Sequence, residues 1–331
     1  MMNWLWVSLL VLAMLLGVLA LYLFRPLAHK PEPAPHQCLE ISEGSYLPLD
    51  TPGQVYGVGL SYAGHIQETA SEFDPAEPPP IFEKSLRALA VDGDEVQTPS
   101  SDEMLEAVDL LEPGLGERLR EELGSIAPLL DYETELAFVL LEDVDPAALR
   151  RDDFSPRLGF LIANDLSARA VAVLGEGQPN RYEYWGVSKS FPGFLPTAAR
   201  VWIPNETRPR GVPCVEIRTL VNGELRQKHN TSDLIYSPVD MLRFIHAKYS
   251  NRPLRRGDMV LTGTPSGVAM QTPRALVRLA NLLGFDRFKK LEAALGRDHS
   301  RFLKPGDTVV SEGEGLGRAK VTIGPATKPN G

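Results

Sequence analysis

The run DYETELAFVLL, residues 131–141, constrains the fold more than any other stretch of the chain. Its acidic residues alternate at 131, 133 and 135, and an unbroken apolar run follows. In a strand, residues two apart share a face, so Asp131, Glu133 and Glu135 line one side and Tyr132 and Thr134 the other. Three like charges leading into a buried run are costly unless solvent or a cation neutralises them. Either this is a solvent-facing sheet edge, or the carboxylates serve an ion inside.

A second acidic feature favours the inside. FLIAND, residues 160–165, is an apolar strand that ends in Asn164-Asp165, placing a carboxylate at a strand end. Hard oxygen ligands of this kind suit Mg²⁺, Mn²⁺ or Ca²⁺, whereas zinc would want His or Cys. His65 and Glu68 stand three apart after GLSYAG and face each other on a helical turn. A carboxylate beside a histidine raises its basicity and fixes its tautomer, which suits a water-activating base. LTGTPSG, residues 261–267, is a strand running into a Gly/Pro turn. Its N–H groups and the Thr262 and Thr264 hydroxyls can take a carboxylate, although a bare tight turn reads the same locally. Lys189 lies in an uncharged stretch, as either a partnered charge or an anion binder.

The remaining chain describes an ordinary globular protein of 331 residues, 43% hydrophobic and 23% charged. Its net charge of −9, with no Lys/Arg-rich run, excludes the usual footprint of a nucleic-acid binder. Short apolar runs at 136–141, 158–164, 214–223, 259–263 and 307–315 read as strands, and NGE at 222–224 as a hairpin turn. They do not alternate regularly with helices, so the expected fold is α+β and β-rich. Ser101–Leu123 reads as a capped helix broken at Pro113-Gly114, and Pro273–Leu295 as helical with a turn between 281 and 290. The two cysteines, Cys38 and Cys214, have no metal or redox spacing, which fits free thiols in the cytosol better than a disulfide framework.

Residues Trp4 to Phe24 are uncharged and apolar, and Arg25 and Lys30 follow. This predicts a transmembrane anchor over 1–25 with the soluble part facing the cytoplasm, the chain being a single-pass inner-membrane protein. A cleaved signal peptide is the rival reading, which would want a basic start and a shorter apolar core. Residues 26–50, rich in proline, read as a linker lifting a domain over 51–325 off the bilayer, with a tail at 326–331.

Eight motifs then fall into one order: GLSYAGHIQE, PPIFEKS, DYETELAFVL, IANDLSAR, KSF, NGELRQKHNTSDLIY, GDMVLTGTPSGV and LKPGDTVVSEGEGLG. In that order the chain resembles the fumarylacetoacetate hydrolase family from about Tyr56 to Val321. Segments 97–128 and 270–302 lie outside the resemblance and read as insertions, the second placed to reshape the pocket mouth or a dimer contact.

The resemblance implies a mixed β-sandwich roll, a homodimer and a Mg²⁺ or Mn²⁺ site. By motif, Glu133, Glu135 and Asp165 match the metal ligands, and His65 and Glu68 the water-activating dyad on a mobile lid. Lys189 matches the lysine at the substrate oxygens. Arg169, Gly263 and Thr264 match the positions around the substrate carboxylate. The implied chemistry is C–C bond cleavage in a small anionic 1,3-dicarbonyl or 2-oxo acid. Decarboxylation or keto–enol isomerisation or hydration on the same fold is the alternative, and a non-catalytic metal-binding scaffold at the membrane is a third. Three positions depart from the family pattern: Ala170 and Ala172 replace an acid and a water-orienting glutamine, and Pro192 follows KSF.

Overall fold

The apolar run after Glu135 becomes the strand Thr134–Leu140, near the middle of a seven-stranded mixed sheet. Every residue in it is buried, as expected of a strand covered on both faces. Its alternation divides the interior. Leu136, Phe138 and Leu140 pack with Phe160, Ile162 and Trp202, while Ala137 and Val139 pack with Leu161, Ala163 and Leu261. These features belong to a computed structural model that describes residues 4–27, 29–69, 71 and 73–326.

Two antiparallel neighbours fix the site end of this strand. Leu158–Asn164 pairs with it so that Thr134 opposes Asn164, and Met259–Leu261 pairs so that Leu261 opposes Ala137. Val55–Val58 then joins Met259–Leu261 in parallel. A second, five-stranded sheet contains Glu216–Val221, Glu224–Asn230, Thr308–Gly313, Gly317–Ala326 and Glu95–Thr98. Its first hairpin turns at Asn222 and Gly223, both at positive φ (52° and 80°), as a two-residue turn requires. The sheets meet at a buried polar knot, in which the Thr134 hydroxyl contacts those of Thr219 and Ser311.

The helical segments follow their signals. Ser101–Leu111 starts with a capping box between Ser100 and Glu103, and Leu115–Leu123 resumes after Pro113-Gly114. Arg274–Leu282 and Arg287–Leu295 are separated by the expected turn. Arg287 ion-pairs with Glu112, tying these two helical segments together.

Three expectations are corrected. First, residues 26–50 are not a free linker: Gln37–Leu39 pairs with Gly211–Pro213, and Gly44–Pro48 pairs with Arg200–Pro204 in the large sheet. Proline content hid strands short enough to fit between prolines. Second, the cysteines are not free thiols. Cys38 and Cys214 form a disulfide, brought together by that parallel pair across a separation of 176 residues. Spacing along the chain carries no trace of such a pairing, and the argument it gave for a reducing compartment falls with it.

Third, the N-terminal apolar stretch is a helix, Trp4–Leu23, but no helix among the described residues is long and apolar enough to cross a membrane. The membrane anchor, and the single-pass, cytoplasm-facing localisation derived from it, are therefore overturned. The helix end is fastened to the body instead. Nη1 of buried Arg278 donates to the carbonyls of Tyr22, Leu23 and Arg25, at 3.3, 3.1 and 2.6 Å, taking up acceptors that a helix end leaves open.

Candidate metal and acid–base site

Strand register brings the carboxylates together. With Thr134 opposite Asn164, Glu133 and Asp165 become neighbours just past the paired ends: the Asp165 N–H donates to the Glu133 carbonyl at 2.8 Å. The Asn164 side-chain carbonyl accepts the Glu133 N–H at 2.9 Å. On the other side, Met259–Leu261 delivers the 262–264 turn to Glu135, whose Oε2 accepts the Gly263 N–H at 2.7 Å. Gly263 sits at φ 90°, and a Cβ there would meet the Val58 carbonyl at 2.7 Å, so the turn requires glycine. The outcome is a buried group, Glu133, Glu135 and Asp165, each offering an oxygen within 4.8 Å of the others.

Asp131 does not join them. The ladder is interrupted between Leu130–Asp131 and Thr134–Leu140, and Asp131 turns to the 269–270 backbone, accepting the N–H groups of Ala269 (2.6 Å) and Met270 (3.0 Å). It also accepts from Arg169 Nε at 2.8 Å, while Arg169 Nη2 pairs with Glu133.

Cations close around the acids. Lys189 Nζ lies 2.8 Å from Glu133 Oε2 and 2.6 Å from Asp165 Oδ2, and donates to Ser167 Oγ at 2.9 Å. Lys84 Nζ donates to Asp165 Oδ1 at 2.5 Å. Glu133 is subject to burial, which disfavours its charge, but the nearby Arg169 and Lys189 prevail and bring it down to about 2. Glu135 goes the other way, pushed well up by burial and then by the Asp165 and Glu133 charges. Burial also depresses Lys84 to about 8, against the pull of Asp165. Burial acts against Lys189 as well, yet Asp165 and Glu133 hold it above its ordinary value.

Four buried carboxylates, counting Asp131, thus face only three buried cations. Asp165 Oδ2 makes no aligned hydrogen bond despite its ion pair, which leaves a buried acceptor open. A hard divalent ion fits this donor set: it would offset the uncompensated carboxylate, hold Glu135 deprotonated, and leave the cluster one charge positive toward an anionic substrate.

The acid–base pair stands apart in construction. His65 and Glu68 lie on the six-residue helix Ala63–Glu68, with Nδ1 3.0 Å from Glu68 Oε1. The Gly267 N–H donates to both Glu68 oxygens, at 2.8 and 3.1 Å. His65 is buried at 6% exposure and lies within electrostatic reach of Glu133.

The turn expected to take an anion therefore holds carboxylates of the protein itself, Glu135 through Gly263 and Glu68 through Gly267. Thr262 donates to the Leu136 carbonyl (2.9 Å) and Thr264 to that of Thr134 (3.2 Å). Gln227 Nε2 donates to Thr264 Oγ1 at 2.9 Å.

Lys84, Ser167 and Gln227 were not singled out from the sequence. Lys84 ends the strand Ile81–Lys84 directly after Glu83, and nothing local in IFEK marks it as buried. Ala170 is fully buried among Val171, Leu174, Leu291 and Ala294, where the helix Arg169–Leu174 packs on Arg287–Leu295. Segment 270–302 therefore covers the helix face that carries Ala170, while Ala172, two residues on, is only partly buried.

Comparison with known proteins identifies the family. Residues 54–324 match the family model described as fumarylacetoacetate (FAA) hydrolase C-terminal. The chain is 27% identical over 224 residues to the oxaloacetate tautomerase YisK of Bacillus subtilis, covering 67% of this chain and 62% of YisK. It is 28% identical over 221 residues to a 4-hydroxyphenylacetate degradation bifunctional isomerase/decarboxylase of Escherichia coli, covering 67% of this chain and 42% of that one. Each match spans less than two thirds of the relative. A crystal structure of fumarylpyruvate hydrolase from Pseudomonas aeruginosa, in complex with Mn²⁺ and pyruvate, superposes with a TM-score of 0.52 at 20% identity. The superposition covers 85% of this chain and 96% of that one, and shows the shared fold.

Proposed function

Since the chain belongs to the fumarylacetoacetate hydrolase family, an enzyme family of hydrolases, isomerases and decarboxylases, we propose that it cleaves a C–C bond in a small 1,3-dicarbonyl or 2-oxo acid with a divalent metal. The convergence of Glu133, Glu135 and Asp165 carries this reading. These three would hold Mg²⁺ or Mn²⁺, which would supply Lewis-acid polarisation of substrate oxygens. Lys189 keeps Glu133 and Asp165 paired and meets a substrate oxygen. Arg169, braced by Asp131 and Glu133, meets the substrate carboxylate, and Gly263 and Thr264 line that end of the site with their own donors given to Glu135 and the Thr134 carbonyl.

His65, held through Nδ1 by Glu68, takes a proton from water at Nε2. The water oxygen bonds to a carbonyl carbon, and the adjacent C–C bond breaks. Its electron pair leaves as an enolate, which the protonated His65 can return to the keto form. A homodimer, and the status of 97–128 and 270–302 as additions to the family body, belong to the same reading. Light scattering on the eluting protein checks the first.

One observation favours a second reading, decarboxylation or keto–enol tautomerisation. Position 172 is alanine and the helix carrying it is packed, so no amide there orients an attacking water. A panel of acylpyruvates, fumarylacetoacetate-like diketones and oxaloacetate, assayed with Mg²⁺ or Mn²⁺, separates the two. Turnover lost in both Glu133→Ala and His65→Ala supports hydrolysis. Turnover that survives His65→Ala supports the second reading. No turnover on any member contradicts both.

A further inference from the structure

The geometry points to Arg274, in the 270–302 addition, as a positioning residue that holds the His65–Glu68 helix in place over the carboxylates. This rests on the reading of that pair as the acid–base dyad. A six-residue helix is too short to hold itself in water, so its place is set by what it touches. Ile66 and Tyr62 give it an apolar footing, both at or under 2% exposure.

Beyond the local bonds from Thr69 and from the Ser71 N–H, which donates to the Ile66 carbonyl at 3.2 Å, the polar contacts described at its C-terminal end come from 267–274. The Gly267 N–H holds the Glu68 carboxylate, the Thr272 N–H donates to the Glu68 carbonyl at 3.0 Å, and Gln271 Nε2 reaches Glu68 Oε2 at 3.4 Å. Arg274 adds a charged clasp: Nη2 donates to the carbonyls of Ile66 (2.9 Å) and Ser71 (2.8 Å). One guanidinium thereby joins the last turn of the dyad helix to the chain that leaves it. A cation at a helix C-terminus is also favoured by the helix dipole. The carbonyl it grips belongs to the residue after His65, so a shift at this clasp moves the imidazole.

The same helix, Arg274–Leu282, grips the N-terminal helix one turn further on through Arg278. Arg274 therefore does not swing on a free loop. It projects from the first turn of the helix Arg274–Leu282.

Hydrogen exchange of the full chain loaded with Mg²⁺, comparing wild type with Arg274→Gln, tests this. Exchange across 63–71 should rise about tenfold, the size expected for losing charge-assisted hydrogen bonds, while Thr134–Leu140 stays protected. On a substrate from the panel, kcat should fall more than KM rises, and Arg274→Lys should recover only part, because an ammonium lacks the planar fork. Unchanged exchange across 63–71 overturns the proposal whether or not any substrate is turned over. Raised exchange with unchanged kcat overturns the positioning role. If Arg274→Gln loosens Thr134–Leu140 as well, Arg274→Lys decides by the same criteria.

Discussion

The carboxylate cluster and the dyad helix face one another but are held by opposite means. Glu133, Glu135 and Asp165 sit at paired strand ends, are buried, and are locked by Lys84, Lys189 and Arg169. His65 and Glu68 ride on a single short helix, secured by a few hydrogen bonds from 267–274. Buried ion pairing makes the first region rigid, since any break strands a buried charge. The second can open at the cost of a few hydrogen bonds.

Breaking the rigid side should cost most. Glu133→Gln leaves Lys189 and Arg169 short of a buried partner, and denaturant unfolding should show a loss of about 3–5 kcal/mol. A loss below about 1 kcal/mol would mean that water already reaches the cluster.

Next in size is a place belonging to neither region. Cys38→Ser removes the staple between the N-terminal strand and the body, and should cost about 2–4 kcal/mol with metal binding unchanged. Reducing agent should do the same to the wild type.

On the movable side, Glu68→Gln keeps an acceptor for the Gly267 N–H but loses the charge beside His65. Stability should fall by less than about 1.5 kcal/mol while turnover drops about 10²-fold or more. Equal losses at Glu68 and Glu133 in unfolding experiments would erase the contrast.

The smallest effect tests the scaffold behind both. Hydrogen bonds from Arg287 hold the Glu112 carboxyl below its ordinary value. A depressed carboxylate stabilises fully above the ordinary range, about 4.3, and loses that contribution as pH falls through its folded value. Glu112→Gln should therefore flatten the fall in Tm under acid by a small amount, the pair being partly exposed.

Much of this contrast could be read from the chain. Strand runs such as LAFVLL and LGFLIAN were visible because the central strands of a doubly covered sheet are nearly all apolar. The i, i+3 spacing of His65 and Glu68 translated directly into one helical turn. What failed depended on long-range pairing. The register that sets Thr134 against Asn164 turned Asp131 away from the cluster, and the parallel pair at Cys38 made a disulfide of two cysteines far apart in sequence. Lys84 went unread because a lysine on a strand looks like a solvent-facing residue until Asp165 is seen 2.5 Å away. The N-terminal helix showed its apolarity but not its attachment, which rests on a side chain more than 250 residues downstream.

The most direct test is the anomalous difference map of a crystal of the full chain soaked in Mn²⁺. The account predicts one strong peak with Glu133, Glu135 and Asp165 oxygens about 2.0–2.3 Å from it, abolished in Glu135→Gln. A map with no peak between those carboxylates, or with the ion held elsewhere in the molecule, would contradict it.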